Sequence, residues 1–434
     1  IEAQNMPGVH LQREYRRYYP AGEVAGHLIG FANIDDVGQE ALELAFDHRL
    51  AGRAGKKRVL QDRRGQIVED IERIEAPEPG QDIATSIDLR IQYLAYRELK
   101  KAVRDHNADS GSAVVIDVRT GEVLAMVNQP TYNPNNRTQR DASRYRNRAI
   151  TDILEPGSSI KPLIIAAGLE TSEFLPTSRI DTNPGFIQVG TKKIIDKRNL
   201  GRIDLTTVLA RSSNVGATMI AMEIEAESLW TILSNFGLGR PTACGFPGES
   251  AGLLSDHENW RSMSQAILAY GYGLSVTPLQ LAQAFTVFGA EGLQRPVSLM
   301  RVTQPPIPRR VISKKTAQAV LDMMEHVVSA DGTGGKAAVP GYRVAGKTGT
   351  TRKASVGGYA EDRYTAVFAG VAPVTNPRLA VVVVIDDPSG DKYYGGDVAA
   401  PVFSSIVADA VRILAIPPDD LNSLSDPSLT VALQ

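Results

Sequence analysis

The first clear pattern of hydrophobic and polar positions begins after residue 88. Apolar side chains recur there at helical spacing, at Ile91, Leu94, Ala95, Leu99 and Val103. Asp88 stands directly before this run, where a short acidic side chain caps a helix N-terminus well. The pattern therefore predicts an amphipathic helix from Leu89 to about Arg104.

Strand-like runs lie on both sides of the middle of the chain. Residues 112–118 and 122–127 are joined by a Gly-containing turn, and residues 364–374 and 379–385 flank a second turn. The unbroken run of apolar β-formers in 379–385 indicates a strand buried on both faces. Residues 150–330 read mostly as helices and loops. This order predicts an α+β fold in which a central antiparallel sheet takes strands from both ends of the domain and a helical subregion is inserted between them.

The segment before residue 80 has a different character. It is rich in charge and glycine, with a helical stretch over Gln39–Leu50 and short elements over Lys57–Ile74. Two prolines and a glycine in Ala76–Gly80 cannot continue a helix or a central strand. We therefore predict a smaller module over residues 1–80, a main domain over 81–416, and a loosely held polar tail over 417–434.

Composition excludes several classes of protein. The 434 residues carry a net charge of -2, which disfavours a nucleic-acid partner. Cys244 is the single cysteine and has no internal disulfide partner, and the six histidines show no metal-ligand spacing, so we expect neither a metal centre nor a cofactor. No apolar stretch reaches the 18 residues or so that span a bilayer, and Ile1–Gln4 is no signal peptide. We expect either a soluble protein or one whose membrane anchor is absent from this chain.

A Ser-x-x-Lys motif lies in residues 155–162, which read Glu-Pro-Gly-Ser-Ser-Ile-Lys-Pro. Pro162 is tolerated in the first turn of a helix, so a helix is expected to begin near Ser158. Residues three apart share a helix face, which places Ser158, and not Ser159, beside Lys161. A serine needs an adjacent base, and a lysine serves if burial and nearby positive charge leave its amine neutral. Alone, the motif is more often a capping serine with an exposed lysine.

Two further motifs follow in the chain. Ser212-Ser213-Asn214 stands between apolar residues and could be only a helix cap or an Asx turn. Residues 344–351 read Val-Ala-Gly-Lys-Thr-Gly-Thr-Thr and are predicted to form a strand beside the last hairpin. Strand alternation turns Thr348 and Thr350 to the same side, where two hydroxyls could hold a carboxylate, and Gly349 permits close backbone approach.

A nucleotide site is the alternative for this third motif. Residues 341–348 formally match the P-loop pattern G-x-x-x-x-G-K-[ST]. A P-loop follows a strand and opens a helix, whereas this segment has β-formers inside the loop and glycines soon after it. The context disfavours nucleotide binding, and Asp331–Gly335 is likewise interpreted as a turn.

Together, in the order Ser-x-x-Lys, Ser-x-Asn, Lys-Thr-Gly, the motifs resemble those of penicillin-binding proteins and serine β-lactamases. Ser212 lies 54 residues after Ser158 and Lys347 a further 135 residues on, separations similar to those of penicillin-binding transpeptidases. Other segments between residues 7 and 420 resemble class B penicillin-binding proteins, specifically the division-type (FtsI-like) transpeptidases of Gram-negative bacteria; they are residues 16–22, 62–65, 128–134, 268–277 and 394–403. Ser-Ser-Ile-Lys stands where this family is expected to have Ser-Thr-Val-Lys.

The resemblance implies a role for each motif residue. It implies that Ser158 attacks the bond between two D-alanines, that Lys161 takes its proton, and that Ser212, bridged to Lys347, protonates the leaving D-alanine. It implies that backbone N–H groups of Ser158 and Thr350 form an oxyanion hole. The substrate contacts it implies are Asn214, Thr348, Gly349, Thr350, Arg352, Tyr270, Tyr272 and Tyr394.

The resemblance also implies a setting. Residues 1–80 would be a truncated, non-catalytic pedestal of a periplasmic domain, held in the inner membrane by a single helix that is absent here. The implied partners are peptidoglycan stem peptides, β-lactam antibiotics and a division glycosyltransferase with other divisome proteins. A β-lactamase, a D,D-carboxypeptidase and a penicillin-sensing receptor domain remain open as alternatives.

Overall fold

The computed structural model describes residues 17–136, 141–355 and 357–425. Its strands fall into one large sheet and four two-stranded ribbons. In chain order they are β1 (Lys56–Gln61), β2 (Ile67–Glu75), β3 (Ala108–Asp117), β4 (Val123–Gln129), β5 (Arg179–Asp181), β6 (Phe186–Val189), β7 (Lys192–Ile195), β8 (Arg202–Asp204), β9 (Leu293–Gln294), β10 (Arg309–Arg310), β11 (Ala345–Ser355), β12 (Gly358–Ala372) and β13 (Leu379–Pro388).

Most of the helices lie between β4 and β11. In chain order the α-helices are α1 (Gly26–Ile29), α2 (Ala41–Ala45), α3 (Asp47–Leu50), α4 (Leu89–Asp105), α5 (Arg148–Thr151), α6 (Lys161–Glu170), α7 (Leu205–Ala210), α8 (Asn214–Glu223), α9 (Ala226–Asn235), α10 (Ser262–Leu268), α11 (Pro278–Gly289), α12 (Lys314–Val328), α13 (Gly395–Val398) and α14 (Ala400–Ile413). No helix in the described ranges has the length and apolar character needed to cross a membrane.

The large sheet has the strand order β11-β12-β13-β3-β4, and every neighbouring pair is antiparallel. Its strands come from both ends of the main domain, which confirms the α+β prediction. Antiparallel pairing of β13 with β3 joins residues far apart in the chain, as in Val382 opposite Val114. Because β11 is an edge strand, its outer side is free to form one wall of a site.

The two faces of the sheet are covered by different hydrophobic clusters. Val381 and Val383 of β13 belong to the cluster with α4 and α14, whereas Val382 and Val384 belong to the cluster with the inserted helices. Side chains alternate between the faces of a strand, so an unbroken run of valines fills both. This confirms the prediction of a strand buried on both faces.

The residues before α4 behave in two ways. Leu28, Ala41 and Leu42 join the main core, while every residue of the β1 and β2 strands except the half-buried Val59 is exposed. Phe46 interrupts the stretch expected to be one helix over Gln39–Leu50, because its backbone leaves the helical region at φ -114°, ψ 17°. From Ala76 to Asp88 the chain makes single bridges in place of longer elements.

The small ribbons β5–β8, β6–β7 and β9–β10 were not predicted, since strands of two to four residues give no periodic signal. Residues 426–434 of the predicted tail lie outside the described residues.

Asp88 caps α4 as predicted, and its carboxylate accepts a hydrogen bond from the N–H of Arg90. We expect Asp88→Ala to lower the free energy of unfolding by about 1 kcal/mol, because a helix N–H loses its acceptor. Asp88→Asn keeps an acceptor and serves as the control. Thermal denaturation of the three proteins checks this, and equal melting temperatures for Asp88→Ala and the unchanged protein would contradict it.

Candidate active site

Ser158 lies on a single 3-10 turn, Gly157–Ile160, that leads directly into α6. Residues three apart eclipse one another in such a turn, so Ser158 and Lys161 share a face. Ser158 is half-buried in a cleft, and none of the described residues hydrogen-bonds its Oγ. Ser159 is fully buried and donates its hydroxyl to the carbonyl oxygen of Pro156 at 2.6 Å. Of the two serines, only Ser158 is accessible to a substrate.

Glycines let this turn pack tightly between two neighbouring segments. A Cβ on Gly271 would lie 2.1 Å from the carbonyl oxygen of Gly157, and a Cβ on Gly349 would lie 2.7 Å from that of Pro156. Neither contact is sterically possible for a larger residue. The loop before α11 and strand β11 therefore hold the turn from both sides, as the close approach expected at Gly349 requires.

Lys161 is fully buried beneath the cleft. Its amine donates to the carbonyl oxygen of Ser212 at 2.7 Å and to Oδ1 of Asn214 at 2.8 Å, and it lies 3.2 Å from Oγ of Ser212. Burial, reinforced by the charge of Lys347, holds the pKa of Lys161 well below its usual range, while Asp196 opposes the shift. The lowered pKa favours the neutral amine, which is the form that can accept a proton.

Lys347 approaches the same hydroxyl from β11. Its amine lies 3.1 Å from Oγ of Ser212 and donates to the carbonyl oxygen of Thr348 at 3.0 Å. Burial lowers the pKa of Lys347 to about 7. The single hydroxyl of Ser212 therefore connects two fully buried amines that come from different parts of the chain.

A carboxylate not singled out in the sequence fixes the Ser212–Asn214 loop. Asp196 accepts hydrogen bonds from the hydroxyl of Ser213 at 2.5 Å and from the N–H of Asn214 at 2.6 Å. Ser213 also caps α8, and Ser212 takes the left-handed conformation with φ 56°. A non-glycine residue rarely adopts this φ unless its surroundings impose it. The clamp by Asp196 supplies that constraint.

Thr348 and Thr350 both line the cleft. The hydroxyl of Thr348 lies 2.9 Å from that of Thr333, and Oγ1 of Thr350 accepts the N–H of Gly395 at 2.9 Å. Residues 331–334 form a turn, as predicted, but no motif or periodic pattern indicates that this turn reaches the site. Thr333 is thus a second residue that the motif analysis missed.

The cleft has a volume of about 740 Å³ and brings together most of the expected residues. Ser158, Ser212, Asn214, Thr348, Thr350 and Tyr394 line it. Of the other predicted substrate contacts, Gly349 lies beneath the cleft against the Ser158 turn, and Arg352, Tyr270 and Tyr272 are not among the described residues that line it. Arg352 lines a separate cavity of about 290 Å³, and its N–H donates to the Tyr272 hydroxyl at 3.3 Å. The roles of these three in substrate binding stay predictions.

The P-loop alternative does not fit the structure. Lys347 and Thr348 lie inside β11, an extended strand paired with β12, where a P-loop would open a helix. The segment therefore has no phosphate cradle of that kind.

Comparison with known proteins gives one consistent match. Residues 111–408 match the family described as "Penicillin binding protein transpeptidase domain", and residues 1–85 match "Penicillin-binding Protein dimerisation domain". The chain is 44% identical to the peptidoglycan D,D-transpeptidase FtsI of Escherichia coli K12, over 98% of this chain and 71% of that protein. It is 42% identical to the probable peptidoglycan D,D-transpeptidase PbpC of Pseudomonas aeruginosa, over 97% and 74%.

A solved structure agrees with these relatives. The apo transpeptidase domain of Burkholderia pseudomallei penicillin-binding protein 3 superimposes with a TM-score of 0.72 at 42% identity, covering 79% of this chain and 99% of that one. The fold and the three motifs around one cleft define a penicillin-recognising serine enzyme. Within that class, the chain belongs to the penicillin-binding protein transpeptidase family.

Replacing one buried amine tests the electrostatics of the site. An ordinary lysine holds its proton up to about pH 10.5, so between pH 7 and 10.5 the unfolded chain binds a proton that folded Lys347 does not. Losing that proton on folding lowers the free energy of unfolding. The loss of stability is large at pH 7 and fades toward pH 10.5. We expect Lys347→Met to raise the free energy of unfolding at pH 7 by about 1 to 4 kcal/mol, with a smaller gain at pH 9.5.

Thermal denaturation at the two pH values measures this gain. Lys192→Met removes an exposed lysine on β7 and should leave the melting temperature unchanged at both. A melting temperature at pH 7 that falls in Lys347→Met would show that the amine is charged and paired.

Proposed function

We propose that this chain is a peptidoglycan D,D-transpeptidase that cross-links stem peptides through an acyl-enzyme on Ser158. The observation that carries the proposal is the hydroxyl of Ser212, at 3.2 Å from the Lys161 amine and 3.1 Å from the Lys347 amine, at the base of the cleft that Ser158 lines. This arrangement supplies a nucleophile, a base and a route for a proton.

In the first step Oγ of Ser158 attacks the carbonyl carbon between the two D-alanines. Lys161 takes the hydroxyl proton, which requires its amine to be neutral. A neutral amine has two N–H donors, and the carbonyl oxygens of Ser212 and of the Asn214 side chain account for both. The third contact of the amine is Oγ of Ser212 at 3.2 Å, so the lone pair has to turn from Ser212 to Ser158 to receive its proton.

In the second step the C–N bond of the tetrahedral intermediate breaks. The leaving D-alanine needs a proton on its nitrogen, and Ser212 donates one while Lys161 or Lys347 replaces it. A lysine with a pKa of about 7 suits this role, because it gains and loses a proton near neutral pH. The products are free D-alanine and an ester on Ser158.

Substrate groups are assigned to the remaining cleft residues. The N–H groups of Ser158 and Thr350 would hold the oxyanion, and donors of this kind contribute roughly 3 to 4 kcal/mol each in other enzymes. Asn214 would hold the amide of the donor peptide, and Thr348 and Thr350 its terminal carboxylate. Gly349, Tyr394, Tyr270, Tyr272 and Arg352 complete the proposed contacts.

The acyl group then passes to an amine on a neighbouring glycan strand. That amine attacks the ester, Ser158 regains its proton, and an amide cross-link forms. A β-lactam follows the same first step, and the opened ring stays on Ser158 because attack by water is slow. The curated relatives that bear the name transpeptidase support acyl transfer over hydrolysis.

The setting of the enzyme is also a proposal. We assign residues 1–80 to a non-catalytic pedestal, 81–416 to the transpeptidase domain and 417–434 to a tail. The lack of longer elements between β2 and α4 supports the first boundary. We further propose that the domain works in the periplasm, anchored in the inner membrane, together with a division glycosyltransferase and other divisome proteins.

The two adjacent serines provide a matched test of the nucleophile. We expect Ser158→Ala to abolish the covalent adduct with benzylpenicillin and Ser159→Ala to retain it, because the Ser159 hydroxyl only bonds to Pro156 within the turn. Intact-protein mass spectrometry followed by peptide mapping measures the adduct. An adduct that survives Ser158→Ala would refute the assignment.

The fate of the acyl-enzyme distinguishes a transpeptidase from a β-lactamase. With a chromogenic cephalosporin, a transpeptidase should give one burst of colour equal to the enzyme present. Fast continuous colour change would instead favour a β-lactamase.

A further inference from the structure

The wall of the cleft has positive charges that are not paired with a carboxylate and could therefore contact a ligand. Four cationic side chains line it, Lys197, Arg198, Arg211 and Lys336, together with the carboxylates of Asp196, Asp331 and Asp397.

Each carboxylate already has a partner. Asp196 clamps the Ser212–Asn214 loop, Asp331 pairs with Arg211 at 3.6 Å, and Asp397 pairs with Lys336 at 2.5 Å. Among the described residues, Lys197 and Arg198 have no carboxylate partner.

Lys197 is held across the mouth of the cleft. It follows β7 on the helical side, and its amine lies 4.0 Å from the centroid of the Tyr394 ring, which belongs to the side of the sheet. Tyr394 is itself supported, since its ring packs against Tyr393 at 4.4 Å and Tyr393 stacks on Tyr364 at 4.2 Å. A cation over an aromatic face is positioned without being neutralised, so its N–H donors stay available to an anion.

The residue just before Lys197 is the one that holds the Ser212–Asn214 loop. Asp196, the preceding residue, accepts the N–H of Asn214 and the hydroxyl of Ser213. Lys197 therefore stands on the side of the cleft where Asn214 is proposed to hold the amide of the donor peptide. The side chain of the residue before the two D-alanines, or the acylamino side chain of a penicillin, extends from that amide.

We propose that Lys197, held by Tyr394 and assisted by Arg198, is a specificity-determining residue that binds a carboxylate on the acyl-side side chain of the donor. This carboxylate is distinct from the terminal one assigned to Thr348 and Thr350. The inference rests on the proposed function, because it uses the orientation of a donor acylating Ser158. The ligand is an anionic side chain, and it would bind an ammonium that has no carboxylate partner. Electrostatic attraction is strengthened at the mouth of a cleft, because the low-dielectric walls focus the field there.

Two penicillins that differ by one carboxylate test the proposal. Carbenicillin is benzylpenicillin with a carboxylate added to its side chain. The measured quantity is the second-order acylation rate constant for each drug, and their ratio isolates the effect of that group. We expect Lys197→Met to lower the carbenicillin-to-benzylpenicillin ratio by about two- to fivefold, in line with an exposed ion pair. Lys197→Arg should restore the ratio.

The control is Lys192→Met, which removes an exposed lysine from β7, the strand just before Lys197, but outside the cleft wall. It should leave the ratio unchanged. In the unmodified protein, raising ionic strength from 0.05 M to 0.5 M should also lower the ratio, because salt screens exposed charges. This second measurement needs no variant to fold.

The outcomes separate this inference from the proposed function. If Lys197→Met slows both drugs equally or leaves the ratio unchanged, or if salt has no effect on the ratio, the carboxylate subsite is refuted while acylation of Ser158 stands. If benzylpenicillin forms no adduct at Ser158, the proposed function itself fails.

Peptide donors distinguish the natural source of the carboxylate from the drug. Depsipeptides ending in D-alanyl-D-lactate can carry either diaminopimelate or lysine before the D-alanine, and the two differ by one side-chain carboxylate. We expect faster release of D-lactate from the diaminopimelate donor, and loss of that preference in Lys197→Met. A preference that persists in Lys197→Met would refute recognition of the peptide side chain by Lys197.

Discussion

The site depends on two fully buried amines that share the hydroxyl of Ser212. Two charged amines this close and this far from water would destabilise the fold. Burial lowers the pKa values of both, and the charge of Lys347 lowers that of Lys161 further. The burial that destabilises the folded state also favours the neutral form of the Lys161 amine, the form that the proposed base role requires. Catalytic competence and a local loss of stability therefore have the same physical cause.

The rest of the fold brings these amines together from distant parts of the chain. Lys161 begins α6, whereas Lys347 lies on the edge strand β11, and the sheet order leaves the outer side of that strand open to the cleft. Asp196 then holds the Ser212–Asn214 loop in a left-handed turn between them. Asp196 also directly precedes Lys197, so one residue positions both the Ser212–Asn214 loop and the cationic wall of the cleft.

Much of this arrangement could be read from the sequence, because its signals are local or periodic. Spacing and propensity predict the capped helix α4 and the strand with unbroken valines. They also place Lys347 on a strand. Asp196 and Thr333 could not be found in this way, since each reaches the site through a contact distant in sequence and lies in no periodic run. The short ribbons escaped for a related reason, because a strand of three residues is stabilised by its partner more than by its own residues.

The most direct test is the protonation state of the Lys161 amine itself. The protein is labelled with lysine that carries ¹³C at the ε-methylene, and the Lys161 signal is assigned by its absence in Lys161→Met. The NMR chemical shift of that signal against pH gives the pKa of the amine. A neutral amine at pH 7, titrating far below the ordinary pH of about 10.5, is the result expected here. An amine that remains charged above pH 10 would contradict the account, because Ser158 would then have no base beside it.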